Sequence, residues 1–239
     1  MQKDDPFGQA LWDFIHGESG VYNIVRDDGY VDRENPAIYF FHFYKEEEEA
    51  LKKYAHGKVL DIGCGPGRHA TRLYEHGFFV VGFDIINYAV KIAKLHGLDY
   101  CVQGDAGFLP FKENTFDTVL LLGNGLGLLG TIDKTIGLLS RINRISKKDG
   151  VLIASSTDPE NTDNPLHKKY HEENRKKNLP PGQLKIYIEY KGKRGKWFNL
   201  LLMDSKLAKE LGEKSGWVAI DLFEPAPPHF VIVFRKCAS

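Results

Sequence analysis

Residues Val59-Leu60-Asp61-Ile62-Gly63-Cys64-Gly65-Pro66-Gly67-Arg68 set one acid and three glycines within a short span. Val59, Leu60 and Ile62 suit a buried strand. Gly63, Gly65 and Gly67 allow backbone angles and close approaches that a Cβ would block. The pattern reads as strand, glycine turn and helix start, so a ligand could lie on bare backbone beside a helix N-terminus. The chemistry this suits is binding of a nucleotide-like cofactor.

Further acids lie at the ends of predicted strands. Phe79-Val80-Val81-Gly82-Phe83-Asp84 is an apolar run closed by an acid, seventeen residues after Gly67. That is close to where an α/β nucleotide site places its ribose carboxylate. An ionised carboxylate accepts from both hydroxyls of a vicinal diol. Gln103-Gly104-Asp105-Ala106 follows the short strand Tyr100-Cys101-Val102, and Phe116 to Leu122 leads into Gly123-Asn124. Each acid has a plainer use: Asp84 as a helix N-cap, Asp105 as a turn former. Asp61 inside an apolar run is harder to explain that way, because a buried acid needs partners.

The spacing is not that of a dinucleotide site. Gly-x-Gly-x-x-Gly counted from Gly63 puts Arg68 at the third position. The pattern Asp-x-Gly-x-Gly-x-Gly instead resembles motif I of the class I S-adenosylmethionine (SAM) dependent methyltransferases. The resemblance runs from about Lys58 to Lys236, less an insert. It implies SAM as cofactor and S-adenosylhomocysteine (SAH) as product. It also implies a cofactor site of Asp61, Gly63, Gly65, Gly67, Arg68, Asp84, Ile85, Asp105, Ala106, Gly123 and Asn124. In that family the motif I acid helps position the methionine part, and an acid at Asp105 often accepts from the adenine amino group.

These residues need a scaffold. Strands are expected at 58–62, 78–83, 99–102, 116–122 and 150–155, with helices at 66–76, 87–96 and 132–145 between them. Ile132, Ile136 and Leu139 recur at helical spacing. Strands alternating with helices imply an α/β, Rossmann-like, doubly wound and mostly parallel sheet. Asp204 is placed to cap a helix ending near Gly216. Strands 217–223 and 229–235, joined through Glu224-Pro225-Ala226-Pro227-Pro228, would add an antiparallel C-terminal pair and complete a seven-stranded sheet. Residues 1–57 read as an N-terminal helical cap, with helices near Ala10–Ile15 and Lys45–Ala55, and 58–239 as the cofactor-binding domain.

An insert occupies 158–203. Its first half is polar. In its second half Leu184, Ile186, Ile188 and Tyr190 alternate with Lys185, Tyr187, Glu189 and Lys191. Gly192-Lys193-Arg194-Gly195 turns and 196–203 returns, which describes a β-hairpin. From Pro165 to Leu200 there are ten Lys/Arg against three Glu. This is either a solvated hairpin face or a surface for an anionic substrate. Tyr187, Trp197 and Phe198 could stack on bases or fill a hairpin core.

Composition bounds the rest. Lys+Arg and Asp+Glu are both 32 in 239 residues, so no overall field calls for nucleic acid or an anionic membrane. No run is long enough to span a bilayer. Met1 to Pro6 lacks the basic-then-apolar order of a signal peptide. Three cysteines without metal spacing fit a reducing compartment, and a cytoplasmic location is expected. No metal site is expected.

The reading is a methyltransferase acting on a small-molecule acceptor, with an anionic acceptor one version. RNA or protein methylation through the basic hairpin, a nicotinamide (NAD(P)) oxidoreductase and a non-catalytic SAM-binding module are the alternatives. Alignment of acceptor and methyl can supply about 7–11 kcal/mol without a catalytic side chain. If the acceptor must lose a proton, Tyr22, His42, His167, His171 and His229 are candidates; Tyr22, His42 and His171 are taken as substrate-side residues. Gly123-Asn124-Gly125 is not the Asn/Asp-Pro-Pro-Tyr/Phe of enzymes methylating amide or base nitrogens. The Gly123–Gly130 loop suggests backbone close to cofactor or acceptor, or a flexible connection. Oligomeric state is not legible.

Overall fold

The structure, a computed structural model, describes residues 5–18, 20–224 and 228–237. The reading of Met1 to Asp4 and the middle of the Glu224–Pro228 linker lie outside the described residues. In chain order the first elements are α1 (Pro6–Ile15), β1 (Tyr22–Arg26), β2 (Val31–Glu34), α2 (Ile38–Phe41) and α3 (Lys45–Tyr54). Then come β3 (Lys58–Ile62), α4 (Arg68–Glu75), β4 (Phe79–Asp84), α5 (Asn87–Leu95), β5 (Cys101–Gln103), β6 (Phe116–Leu121), α6 (Ile132–Ile145) and β7 (Ser146–Thr157). The chain continues through α7 (Pro165–Lys176), β8 (Gln183–Tyr190), β9 (Lys193–Arg194), β10 (Phe198–Leu201), α8 (Ser205–Lys214), β11 (Trp217–Phe223) and β12 (His229–Lys236).

The large sheet has seven strands in the order β11-β12-β7-β6-β3-β4-β5. β7, β6, β3, β4 and β5 are parallel, and β12 runs antiparallel to both β7 and β11. Alternate residues of each strand enter different cores, because side chains on a strand alternate faces. Leu60, Val119, Leu121, Leu152, Phe230 and Ile232 pack with α6 and α8, through Leu138, Leu139, Ile142, Ala208 and Leu211. Val59, Leu120, Ile153, Val231 and Val233 pack with α3, α4 and α5, through Leu51, Leu73, Val90 and Ala93. With both faces covered, the central strands read as continuous apolar runs. The Asp204 carboxylate accepts from Leu207 N at 2.7 Å and starts α8 as the sequence suggests. Cys64 and Cys101 are buried free thiols with sulfurs 3.8 Å apart.

A second sheet carries the difference from the sequence reading. Its order is β10-β8-β1-β2, with β9 paired to β8. The cap therefore has helices where expected and also a hairpin, β1–β2. Asp28-Gly29 at its turn, with Gly29 at φ 87°, is a hairpin signal. β1 pairs antiparallel with β8 of the insert, Ile24 opposite Ile188 and Val25 opposite Tyr187. The predicted hairpin of the insert is thus one side of a sheet whose other side is the cap's β1–β2. The polar first half of the insert forms α7, started by Asn164, whose side chain accepts from Leu166 N, and by Pro165. That helix buries Tyr170, His171 and Asn174 rather than aliphatic residues, so no apolar stripe announced it.

Two polar clamps hold the small sheet. Arg26 donates both to Asp28, at 2.8 and 2.7 Å, and lies 4.1 Å over the Tyr170 ring. Asp13 of α1 accepts from Tyr190 at 3.2 Å and from Lys191 at 2.6 Å.

Candidate functional site

The large sheet reverses order at β3: β4 and β5 follow on one side, β6 and β7 on the other. A crevice at the carboxyl ends of strands follows from that topology. The glycine turn fills it. Gly63, Gly65 and Gly67 have φ of 73°, 55° and 92°, a region that favours glycine. Their reasons differ. A Cβ on Gly67 would sit 2.9 Å from Thr71 Oγ1 and 3.1 Å from Ala93 Cβ, so this glycine lets α4 pack on α5. A Cβ on Gly65 would meet nothing within 4 Å, and one on Gly63 only Leu128 at 3.9 Å. Those two leave an open cradle of bare backbone.

Two buried carboxylates flank the cradle. Asp84, at the end of β4, accepts from Gly65 N and Ile86 N, each at 2.8 Å. Burial raises its carboxyl above the usual range, against the pull of those two N–H groups, and the nearby Asp5 adds to the rise. Each Asp84 oxygen keeps further lone-pair capacity for a donor. Asp61, in β3, makes no side-chain hydrogen bond among the described residues. Burial, with help from the charge of Asp84, pushes its carboxyl up to about 6, partly countered by His69. An unsatisfied, desolvated acid of this kind suits a ligand bearing a cation or donor.

The other predicted positions sort themselves by contact. Ile85 is half-exposed beside Asp84, and its carbonyl accepts from Gln103. Asp105 caps a single 3-10 turn, accepting from Gly107 N at 2.7 Å, and Ala106 is buried behind it. Arg68 donates to the carbonyls of Ile38 and His42, which fastens the α2 segment over the motif, and its Nη2 lies 3.7 Å from Glu47 beside Gly123. Gly123 and Asn124 follow β6 with φ of 61° and 67°. Asn124 accepts from Thr157 of β7 at 2.8 Å.

The substrate-side residues are not brought together. Tyr22 is buried in the small sheet and its hydroxyl donates to Tyr39 at 3.3 Å. His171 is buried in α7; the charges acting on it are His167, Glu160, Arg175 and Arg26, none of them at the cradle. Burial lowers both His171 and His167 below the usual imidazole range. His42 is exposed, edge-on to Tyr44. Of the five proton-acceptor candidates, His229 alone has a carboxylate of the crevice beside it.

That carboxylate is Glu47, which the sequence reading left within a charged helix. Its side chain is fully buried. Oε1 accepts from Gly123 N at 3.1 Å and Ser155 Oγ at 2.8 Å, and lies 3.6 Å from His229 Nε2. Oε2 lies 3.0 Å from His69 Nε2 and 3.7 Å from Arg68. Burial alone would raise this acid, but His229, His69 and the Gly123 N–H outweigh it and hold Glu47 well below the usual range. A signal was present: Glu47 shares a helical face with Ala50 and Leu51, both buried.

Comparison with known proteins agrees with this geometry. Residues 60–154 match a family model described as a methyltransferase domain. The chain is 28% identical over 185 residues to sterol 24-C-methyltransferase of Saccharomyces cerevisiae, covering 67% of this chain and 47% of that protein. It is 28% identical over 149 residues to demethylmenaquinone methyltransferase of Staphylococcus saprophyticus, covering 57% and 62%. The chain thus spans about half the length of the curated relatives it matches. A SAM-dependent methyltransferase of Bacteroides fragilis, solved with S-adenosyl-L-homocysteine, superposes with TM-score 0.83 at 25% identity, covering 99% of this chain and 97% of that one.

Proposed function

The chain belongs to the class I SAM-dependent methyltransferases, and from that premise we propose that it binds SAM in the Asp61–Asp84 crevice and methylates a small-molecule acceptor. One observation carries the reading: an open glycine cradle between two buried carboxylates, at the point where the sheet order reverses. The residues fit the cofactor. Asp84 would take the ribose hydroxyls with the lone pairs that Gly65 and Ile86 leave free. Asp61 would face the amino acid end, whose ammonium group relieves its isolation. Gly63 and Gly65 would lie against the ligand with no Cβ between.

When bound, SAM supplies an electrophilic methyl on a sulfonium. The chain's part is to align and enclose. The Arg68 contacts to Ile38 and His42 close the cap over the motif, and exclusion of water strengthens each polar contact inside.

A small-molecule acceptor is favoured over RNA by the state of the basic hairpin. The Arg194 guanidinium lies 4.0 Å over the Tyr187 ring, and Trp197 stands edge-on to Tyr187 at 4.6 Å. These aromatics are engaged with one another and with their own cation. Among the described residues no helix is long and apolar enough to cross a membrane.

The test is calorimetry with SAH, then transfer of tritium from methyl-labelled SAM into a source-cell extract split into metabolites, RNA and protein. SAH binding with label in metabolites is the expected result. Label in RNA or protein would replace the small-molecule acceptor, and no SAH binding would remove the reading.

A further inference from the structure

We propose that His229 takes the proton of a hydroxyl-bearing acceptor and that Glu47 is the positioning residue that orients it. This deepens the methyltransferase reading and rests on it. His229 opens β12 and pairs with Thr157, the last residue of β7. Its ring therefore stands at the carboxyl edge of the parallel strands, where β3 runs into the glycine turn and β6 into the turn at Gly123.

The ring is 8% exposed, yet neither of its nitrogens has a hydrogen-bond partner among the described residues. Buried polar atoms are ordinarily satisfied, so idle ones mark a place for a ligand group. Two neighbours fix the ring. Tyr44 stacks on it at 3.8 Å and 17°. Glu47 Oε1 lies 3.6 Å from Nε2 and is itself held by Gly123 N and Ser155 Oγ. On the far oxygen of Glu47 stand His69 and Arg68. With an ionised carboxylate facing Nε2, the imidazole carries its proton there and presents Nδ1 as the acceptor. A base oriented by a buried carboxylate is the arrangement that serves nucleophile activation elsewhere.

The chemistry selects the acceptor class. An amine attacks through a free lone pair and can lose its proton to water afterwards. A carboxylate has no proton to lose. An alcohol or phenol is a poor nucleophile until its proton departs, so it gains most from a base held dry beside the methyl. In the step, an oxygen–methyl carbon bond forms and the methyl–sulfur bond breaks, its electron pair staying on sulfur. The hydroxyl proton moves to His229 Nδ1. The products are a methyl ether, neutral SAH and an imidazolium facing Glu47.

The experiment compares wild type, His229→Gln and Glu47→Gln in SAH calorimetry, then in transfer of isotope-labelled methyl to the metabolite fraction of a source-cell extract. Carbon NMR of the product identifies the methylated atom, and rates are followed against pH. The proposal expects a methyl ether. It expects His229→Gln to keep SAH affinity within about twofold, lose about a hundredfold or more in rate, and lose the acid limb of the wild-type profile. Glu47→Gln should keep SAH binding and move that limb to lower pH, because the imidazolium loses its facing anion. A methyl ester, or label on nitrogen, sulfur or carbon, overturns it, as does a wild-type rate and profile in His229→Gln. If His229→Gln fails to bind SAH, His229→Asn repeats the test, and failure of both makes His229 structural and overturns it. Wild type that binds SAH and transfers nothing to metabolites overturns it together with the small-molecule reading. Wild type that binds no SAH removes the methyltransferase reading itself.

Discussion

A Cβ placed on Gly127 would fall 1.7 Å from the carbonyl oxygen of Leu201. The loop leaving β6 and the return strand of the insert are in backbone contact there. Gly130 repeats the relationship, its Cβ position lying 2.5 Å from the carbonyl oxygen of Asn199. These glycines exist to let the small sheet seat on the large one.

Gly127→Ala should therefore cost about 1–3 kcal/mol of stability or more, since backbone has nowhere to yield. Gly137, inside α6 with nothing within 4 Å of its Cβ position, is the control. Gly137→Ala should be neutral or stabilising by up to about 1 kcal/mol. Urea midpoints of the two variants decide the matter.

Asp84→Ala should weaken SAH binding by more than about tenfold, the scale of losing charge-assisted hydrogen bonds of about 1.5–3 kcal/mol. Calorimetry measures it directly. An unchanged affinity would take the ribose role from Asp84.

Asp61 makes stability depend on pH in an uncommon direction. Its folded carboxyl titrates near about 6, above the ordinary 3.8, because it is buried. The folded state holds that proton more tightly than the unfolded chain. The resulting stability is full below about pH 3.8 and is lost as pH rises through about 6, about 3 kcal/mol in all. Asp61→Asn should then be more stable than wild type near neutral pH, the gap closing toward pH 4 or so, while SAH binds more weakly. Urea unfolding at both pH values would show it; a constant gap would contradict it.

Glu47 has the opposite sign. Its folded carboxyl lies well below the ordinary 4.5, so its stabilisation is present above that value and fades as pH falls through the folded one. Glu47→Ala leaves Gly123 N and Ser155 Oγ without their acceptor and takes the facing carboxylate from His69 and His229. It should cost about 3–5 kcal/mol near neutral pH, as broken buried pairs do, with a smaller loss in acid. Thermal or urea unfolding against pH reads both parts.

The large sheet was legible because each of its parallel strands is an apolar run with a glycine or acid at its end. Asp61 and Asp84 could be found for a related reason: a carboxylate inside such a run, or closing it, has few other uses. The β1–β2 hairpin was missed because Tyr22 to Glu34 mixes polar and apolar residues without strict alternation, and its pairing partner lies far along the chain. α7 was missed because its buried face is Tyr, His and Asn. Glu47 was missed because a run of four glutamates looks like solvent-facing charge, and only the three-dimensional path shows which of them turns inward. The Gly123–Gly130 loop was read as backbone near a ligand or as a flexible connection; Gly127 and Gly130 answer to the insert, while Gly123 stands beside Glu47.

The pairing of β1 with β8 joins residues some 160 positions apart, Asn23 with Glu189 and Arg26 with Ile186. Such a pairing forms only after a long loop closes, and the intervening large sheet is what brings the ends together. The small sheet should thus assemble late, and its amides should exchange with solvent as one cooperative group, before those of β3 and β6. An enclosure built this way has a built-in order of assembly: the crevice exists first, and its cover arrives from two separate stretches, one ahead of the large sheet in the chain and one inserted within it.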